Sequence, residues 1–354
     1  MTTFIELREI GETIGRFASV REKADRPQDR VVIQAKDGLL KLVAGDHEKT
    51  VIATVGPTEE DGVAVVSARL LLTSLKTLKG KGDVFFVVKD NGAELRTGFG
   101  SSIVFDNIDI EPPMYLRPKP YDGGSIARFD AGWLPLASKY LSMSPGDFNP
   151  FDQVYAHTTG DDLWFKSNDN HTGVEVGPLP AEGFIDANIP VGLFPALKGL
   201  EDAGGFYFPD RTDNKAPQVQ IGAGKYKVTS VLHPGAGKLP FLPKMVYNVS
   251  ISADRKALAE AFKSLVGRQE FNKVTVTAGD SLVISGTQIG KVEIAATING
   301  KGKIVVDASL MAKALSTVDG KTATVQYSDS GASLIGVSGD KYGWKVTLAP
   351  MRSK

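Results

Sequence analysis

VVSARLLLTSLK (residues 65–76) and VVDASLMAKAL (305–315) are one phrase written twice, and IPVGLFPALK (189–198) is a looser third copy. In the first two, paired valines lead to a small polar residue, an alanine and an apolar run at helical spacing. A short strand that ends on a capping residue, Ser67 or Asp307, and passes into an amphipathic helix gives that pattern. The copies recur at a period of roughly 120 residues, too long for a short solenoid repeat and the size of a small domain.

The text around each copy also repeats. FIELREIGETIGRFASV places Leu7, Ile10, Ile14 and Phe17 on one helical face, and SADRKALAEAFKSLVG does the same with Leu258, Ala261, Phe262 and Leu265. In that second stretch Asp254 stands in the first turn, where the helix dipole favours an acid. In FDAGWLPLASKYLS, Gly132 and Pro135 confine the helix to a short piece. Alternating strands follow every time: RVVIQAKDGLLKLVAGD with a hairpin turn at Asp37-Gly38, then YAHTTGDDLWFKSND, then KVTVTAGDSLVISGT. After the phrase two more strands close each copy, in DVFFVVKDNGAELRTG, GGFYFPDRTDNKAPQVQIG and TATVQYSDSGASLIGVSG. The expected order is helix, hairpin, strand, helix, hairpin.

IEPPMYLRPKPYDGG (110–124) and HPGAGKLPFLPK (233–244) are rich in proline and glycine and read as linkers. The expected fold is therefore α+β, as three tandem copies of one domain at residues 1–122, 123–243 and 244–354. In each, two helices cover one face of a larger antiparallel sheet. Edge strands pairing from one copy to the next would build a curved array, which self-association could close.

Composition narrows the function. With 41 basic and 41 acidic residues the chain is neutral, so any nucleic-acid contact rests on local clusters of charge. There is no cysteine, which excludes disulfides and thiolate metal sites. The opening MTTFIELREIGETIG has no apolar core of a signal peptide, and no apolar run reaches the length of a membrane span, so a soluble cytoplasmic protein is expected. His47, His157, His171 and His233 lack metal-ligand spacing, and no metal or cofactor is expected. His171 is expected to orient a strand end. GAGKYK (222–227) and GAGKLP (235–240) do not fit a phosphate loop and read as turn and linker glycines. The run Glu59-Glu60-Asp61 reads as a solvated turn, and Trp133, Trp164 and Trp344 as core or edge aromatics. Neither paired carboxylates nor a nucleophile motif stands out, so no enzyme is expected.

Basic residues gather on the helices. Arg8, Arg16, Arg21 and Lys23 lie on or just after the first, and Arg69, Lys76 and Lys79 on the second. Arg255, Lys256, Lys263 and Arg268 lie on the matching helix of the third copy, with Lys313 on its companion. Interspersed with Glu9, Glu12 and Glu260, they suit an ordinary solvated face. Recurrence in the repeat favours phosphate contact, a positive lining that reads no bases and permits sliding.

On these residues the chain resembles the bacterial DNA sliding clamp family, the beta subunit of the replicative polymerase. VVIQAKDGLLKLVAGDHEKTV is similar to the family's first hairpin and VVSARLLLTSLKTL to the helix after it. KSNDNHTGVEV (166–176) resembles a strand end written TDGH in the family, FLPK (241–244) the opening of its third domain, and APMRSK its closing MPMRL. The resemblance implies a processivity factor for DNA replication. It would be a head-to-tail homodimer ring around double-stranded DNA, with the helices lining the hole. It also implies a DNA contact at Arg26 in ADRP, and a second contact loop at SMSPGDFNPF (142–151). A pocket between the second and third domains would take peptide motifs of the polymerase, the clamp loader and repair proteins. Carried over, it comprises Phe151, Asn168, Thr172, Pro234, Phe241, Thr347, Pro350, Met351 and Arg352. Thr172 stands where the family usually has Arg, and Ala349 where it has Met, which leaves the peptide preference open. A β-rich structural or assembly protein, such as a viral coat or tail component, is the main alternative. An enzyme with a site built between domains is a second.

Overall fold

The computed structural model describes the chain except residues 1, 16, 19–28, 47–48, 78–81, 90, 99, 110, 114–124, 144–152, 170, 191–192, 197–202, 209–217, 232–244, 268–271, 287–289, 331–332 and 352–354. One order of elements runs along it three times. The first pass is β1 (Thr2–Thr3), α1 (Phe4–Ile14), β2 (Arg30–Lys36), β3 (Leu39–Gly45), β4 (Lys49–Pro57), β5 (Gly62–Ser67), α2 (Ala68–Thr77), β6 (Asp83–Lys89), β7 (Gly92–Thr97) and β8 (Ser102–Asp106). The second is β9 (Ser125–Asp130), α3 (Leu134–Leu141), β10 (Gln153–Thr159), β11 (Asp162–Asn168), β12 (Thr172–Gly183), β13 (Asp186–Pro190), α4 (Leu193–Ala196), β14 (Ala203–Phe208), β15 (Gln218–Ala223) and β16 (Tyr226–Val231). The third is β17 (Val249–Asp254), α5 (Arg255–Leu265), β18 (Lys273–Ala278), β19 (Leu282–Ser285), β20 (Lys291–Ile294), β21 (Ala296–Asn299), β22 (Gly302–Asp307), α6 (Ala308–Thr317), β23 (Thr322–Tyr327), β24 (Ile335–Gly339) and β25 (Lys345–Leu348). Each pass carries strands beyond the expected order: one before its first helix, one at its end, and between the helices one more in the first two passes and two more in the third.

Local chemistry accounts for the joints. Asp37 and Gly38 both adopt positive φ, 54° and 74°, the conformation a two-residue turn needs between right-twisted strands. Thr3 and Glu6 cap α1 reciprocally: Thr3 Oγ1 accepts from Glu6 N at 3.3 Å, and Glu6 Oε2 accepts from Thr3 N at 2.8 Å. Asp307 Oδ1 accepts from Ser309 N and Leu310 N at the start of α6. Asp254 is the cap of α5 rather than a residue of its first turn, accepting from Ala257 N at 2.8 Å. Pro135 falls in the first turn of α3, where its missing N–H costs nothing. The third copy of the phrase yields only the single turn α4 among the described residues.

The chain splits into two compact units. The first comprises 1–135, 181–185 and 196–234. Its long antiparallel sheet runs β5-β2-β3-β4-β16-β15-β14-β9 and ends on the last residues of β12. A second sheet runs β1-β6-β7-β8. The predicted face of α1, Leu7, Ile10, Ile14 and Phe17, is buried throughout, as are Leu71, Leu72 and Leu75 of α2. Each such side chain contributes about 1.5–3 kcal/mol through its burial. The two helices meet where α1 carries glycine: a Cβ on Gly11 would lie 2.7 Å from Leu75 Cδ1.

The second unit comprises 136–180, 186–195 and 235–354. Its long antiparallel sheet runs β13-β10-β11-β12-β25-β24-β23-β17-β21, and a second sheet runs β20-β19-β18-β22. Leu258 and Phe262 of α5 and Met311 of α6 meet Ile251, Val276 and Val325 around one small void. This core has no glycine at the helix contact.

Candidate functional site

The resemblance gathers pocket residues from four stretches distant in sequence, and the second unit brings two of them, around 168–172 and 347–351, into one seam. β12 pairs with β25 so that Thr172 faces Leu348, Gly173 faces Thr347 and Glu175 faces Lys345. Asp169 locks the turn before β12. Its Oδ1 accepts from His171 N at 3.0 Å and from Thr172 N at 2.6 Å. Past β25 the chain is held as well: Ala349 N donates to His171 O, and Met351 N to Val305 O. His171 thus fixes the strand end through its backbone.

The seam ranks the expected pocket residues. Thr172 and Thr347 are 2% and 1% exposed, so they form its floor. Asn168, Pro350 and Met351 are half-buried and stand at its surface. On the neighbouring strand Gly336 leaves room for Tyr247, whose hydroxyl would be 2.6 Å from any Cβ there. Burial raises the Tyr247 hydroxyl above its ordinary value. Phe151, Pro234, Phe241 and Arg352 lie outside the described residues.

A second connection joins elements of the second and third passes. Asp319 N donates to the Tyr140 hydroxyl at 3.0 Å, and Lys139 Nζ lies 3.2 Å from Asp319 Oδ1. The Tyr140 ring meets Trp344 edge-on at 5.2 Å. Burial pushes the Tyr140 hydroxyl far above its ordinary value, the bond from Asp319 N opposing it and the Asp319 carboxylate adding to it, so it stays neutral. Nothing in the sequence linked α3 to the turn after α6, because a tyrosine reads as core until its partner is seen.

The basic helix residues take different positions. Arg8, Arg69 and Lys76 in the first unit are exposed, as are Lys256, Lys263 and Lys313 in the second. Arg8 lies 3.5 Å from Glu12, and Lys263 lies 2.8 Å from Glu260, both open surface pairs of small worth. Arg255 is engaged within the fold: Nε donates to Gly320 O at 2.8 Å and Nη1 to Leu315 O at 3.2 Å. It satisfies carbonyls at the C-terminus of α6, where the helix dipole favours a cation. Arg16, Arg21, Lys23, Arg26, Lys79 and Arg268 lie outside the described residues, as does most of the loop at 142–151. Counted from the caps Thr3 and Asp254, Lys263 occupies the position of Glu12. Basic character therefore recurs by helix and not by position.

Among the described residues no three His, Asp or Glu side chains gather to hold a metal. The tyrosines whose ionisation is shifted, Tyr140, Tyr155, Tyr247 and Tyr327, are all shifted upward by burial and away from nucleophilic use.

The fold is that of a bacterial sliding clamp. Along its whole length the chain superposes on the DNA polymerase III beta subunit of Thermotoga maritima, with a TM-score of 0.83, 14% identity and coverage of 100% of this chain and 99% of that one. The beta subunit from Borrelia burgdorferi, solved in complex with a natural product, gives 0.82 at 14% identity with both chains covered in full. The DNA polymerase sliding clamp of Bacillus subtilis gives 0.79 at 16%, covering 100% and 98%. No family model and no curated relative matches the sequence. No helix among the described residues is long and apolar enough to cross a membrane.

Proposed function

We propose that this protein is a DNA sliding clamp, a non-enzymatic processivity factor of DNA replication. It encircles duplex DNA as a homodimer and tethers a polymerase, a clamp loader and other proteins through a peptide pocket. The observation that carries the reading is the match of the fold to sliding clamps from end to end. The thrice-repeated order of elements supports three domains at 1–122, 123–243 and 244–354. The mechanism is topological. Weak phosphate contacts from Arg8, Arg69, Lys76, Lys256, Lys263 and Lys313 let a closed ring slide, and the ring's closure supplies retention. Tethering raises the polymerase's effective concentration at the primer end. Asn168, Thr172, Thr347, Pro350 and Met351 are the described members of the proposed pocket. The work is cytoplasmic. No observation favours a β-rich assembly protein.

Ring closure has a candidate surface. β8 and β20 are the outer strands of the two four-stranded sheets, each pairing on one side only among the described residues. Val104 on β8 is 64% exposed, and β20 presents Lys291 and Glu293. Pairing of β8 with β20 of a second copy would satisfy both edges and close a head-to-tail ring. Sedimentation equilibrium tests this: the wild type is expected at twice the chain mass and Val104→Glu at the chain mass. A wild-type monomer at every concentration would refute the ring.

A further inference from the structure

The first unit has a groove of 520 Å³ that neither the DNA lining nor the peptide pocket uses. Leu40 and Val55 from the long sheet and Phe86 and Val88 from the second sheet give it apolar side chains, beside Thr58 and Arg96, with Glu59 and Glu60 at the rim. Alongside runs a strand edge. β6 extends from Asp83 to Lys89, but β1 reaches only Asp83 and Val84. Phe85–Lys89 pair with β7 on one side and with no strand on the other among the described residues. Alternate residues of that segment turn their N–H and C=O groups away from β7, toward any strand laid beside them.

Natural edges are usually blunted by inward charge, proline or a lysine, and this one is not. Its lysine, Lys89, is drawn to Glu94. Arg96, which also borders the groove, is bound 2.9 Å from the same carboxylate. The two carboxylates at the rim make no ion pair among the described residues and are exposed, open to a cation brought from outside.

We propose that Phe85–Lys89 receives an extended segment of a partner protein by strand addition. The segment is apolar at alternate positions, which fill the groove, and carries Lys or Arg, which meet Glu59 and Glu60. Main-chain bonds to β6 supply affinity, and the groove and rim supply selectivity. The proposal rests on the strand edge and is independent of the clamp reading.

The probe is an end-blocked heptapeptide in which valine alternates with lysine, titrated into the full-length protein and followed by backbone amide shifts. Shifts are expected at Phe85–Lys89 and along 55–60. A peptide with glutamate in place of lysine, and the Glu59→Lys/Glu60→Lys protein, are each expected to bind at least about tenfold more weakly, since like charges oppose the contact. Both glutamates are exposed, so the double variant should melt like the wild type. No binding at millimolar peptide, shifts centred elsewhere, or undiminished affinity in the double variant would overturn the proposal. So would self-association of the protein through β6 that the peptide fails to compete.

Discussion

The two helix pairs, α1 with α2 and α5 with α6, do the same task by different means. In the first, Gly11 and Gly15 let α2 approach until Leu75 and Leu72 touch the glycine backbone. Arg8, Glu12, Thr73 and Lys76 then border a cleft of 360 Å³ beside that contact. In the second, Leu258, Phe262 and Met311 fill the space beneath the helices, and Arg255 ties the start of one helix to the end of the other. The first pair keeps its cations for the surface. The second commits one of them to the fold. Basic residues on equivalent helices are therefore not equivalent: Arg255 is bonded within the fold, whereas Lys256, Lys263 and Lys313 stand exposed.

Phe262→Ala should show the largest difference. It empties a filled core and is expected to cost about 3–5 kcal/mol in urea unfolding. Arg255→Ala is expected to cost about 1.5–3 kcal/mol by orphaning the carbonyls of Gly320 and Leu315. Lys256→Ala, one residue on, should change stability by less than about 0.5 kcal/mol. It should instead flatten the logarithmic salt dependence of DNA binding by about 0.9. Equal losses of stability from the two would remove the distinction between them. In the first pair Gly11→Val forces α2 outward and is expected to cost about 1–3 kcal/mol.

The smallest effect is a pH dependence away from both pairs. Arg96 first, then Lys89, hold the Glu94 carboxyl down to about 2. A depressed carboxylate contributes stability above its unfolded value, and that contribution fades as pH falls toward about 2. The margin of the wild type over Glu94→Gln should therefore shrink between pH 5 and pH 2 and be constant above pH 6. A margin constant across the whole range would contradict the assignment.

Much of the fold was legible because local rules and the repeat agree. The Asp37-Gly38 hairpin, the caps Ser67 and Asp307 and the buried faces of α1 and α5 follow from residue chemistry within a few positions. What escaped was non-local or weakly marked. β4 reads as a continuation of its hairpin, and β8, β16 and β25 are short strands after the last clear turn signal. The seam of β12 with β25 joins residues 172–175 to 345–348, a pairing that no sequence window contains. Of the residues expected to form a peptide pocket, the seam buries Thr172 and Thr347 and leaves Pro350 and Met351 half-buried, an ordering that no sequence window shows. For the helices, charge was visible in the sequence, whereas the bonds of Arg255 to Gly320 and Leu315 were not.

Retention by encirclement is open to a threading experiment that needs no loading machinery. The protein is mixed with linear duplex DNA biotinylated at both ends, the ends are then blocked with streptavidin, and the complex is washed in high salt. The account predicts that protein stays on end-blocked DNA, is lost from DNA with open ends, and is released when blocked DNA is cut in the middle. Retention that is the same with open and blocked ends would mean that ordinary contacts hold it, and would contradict the clamp.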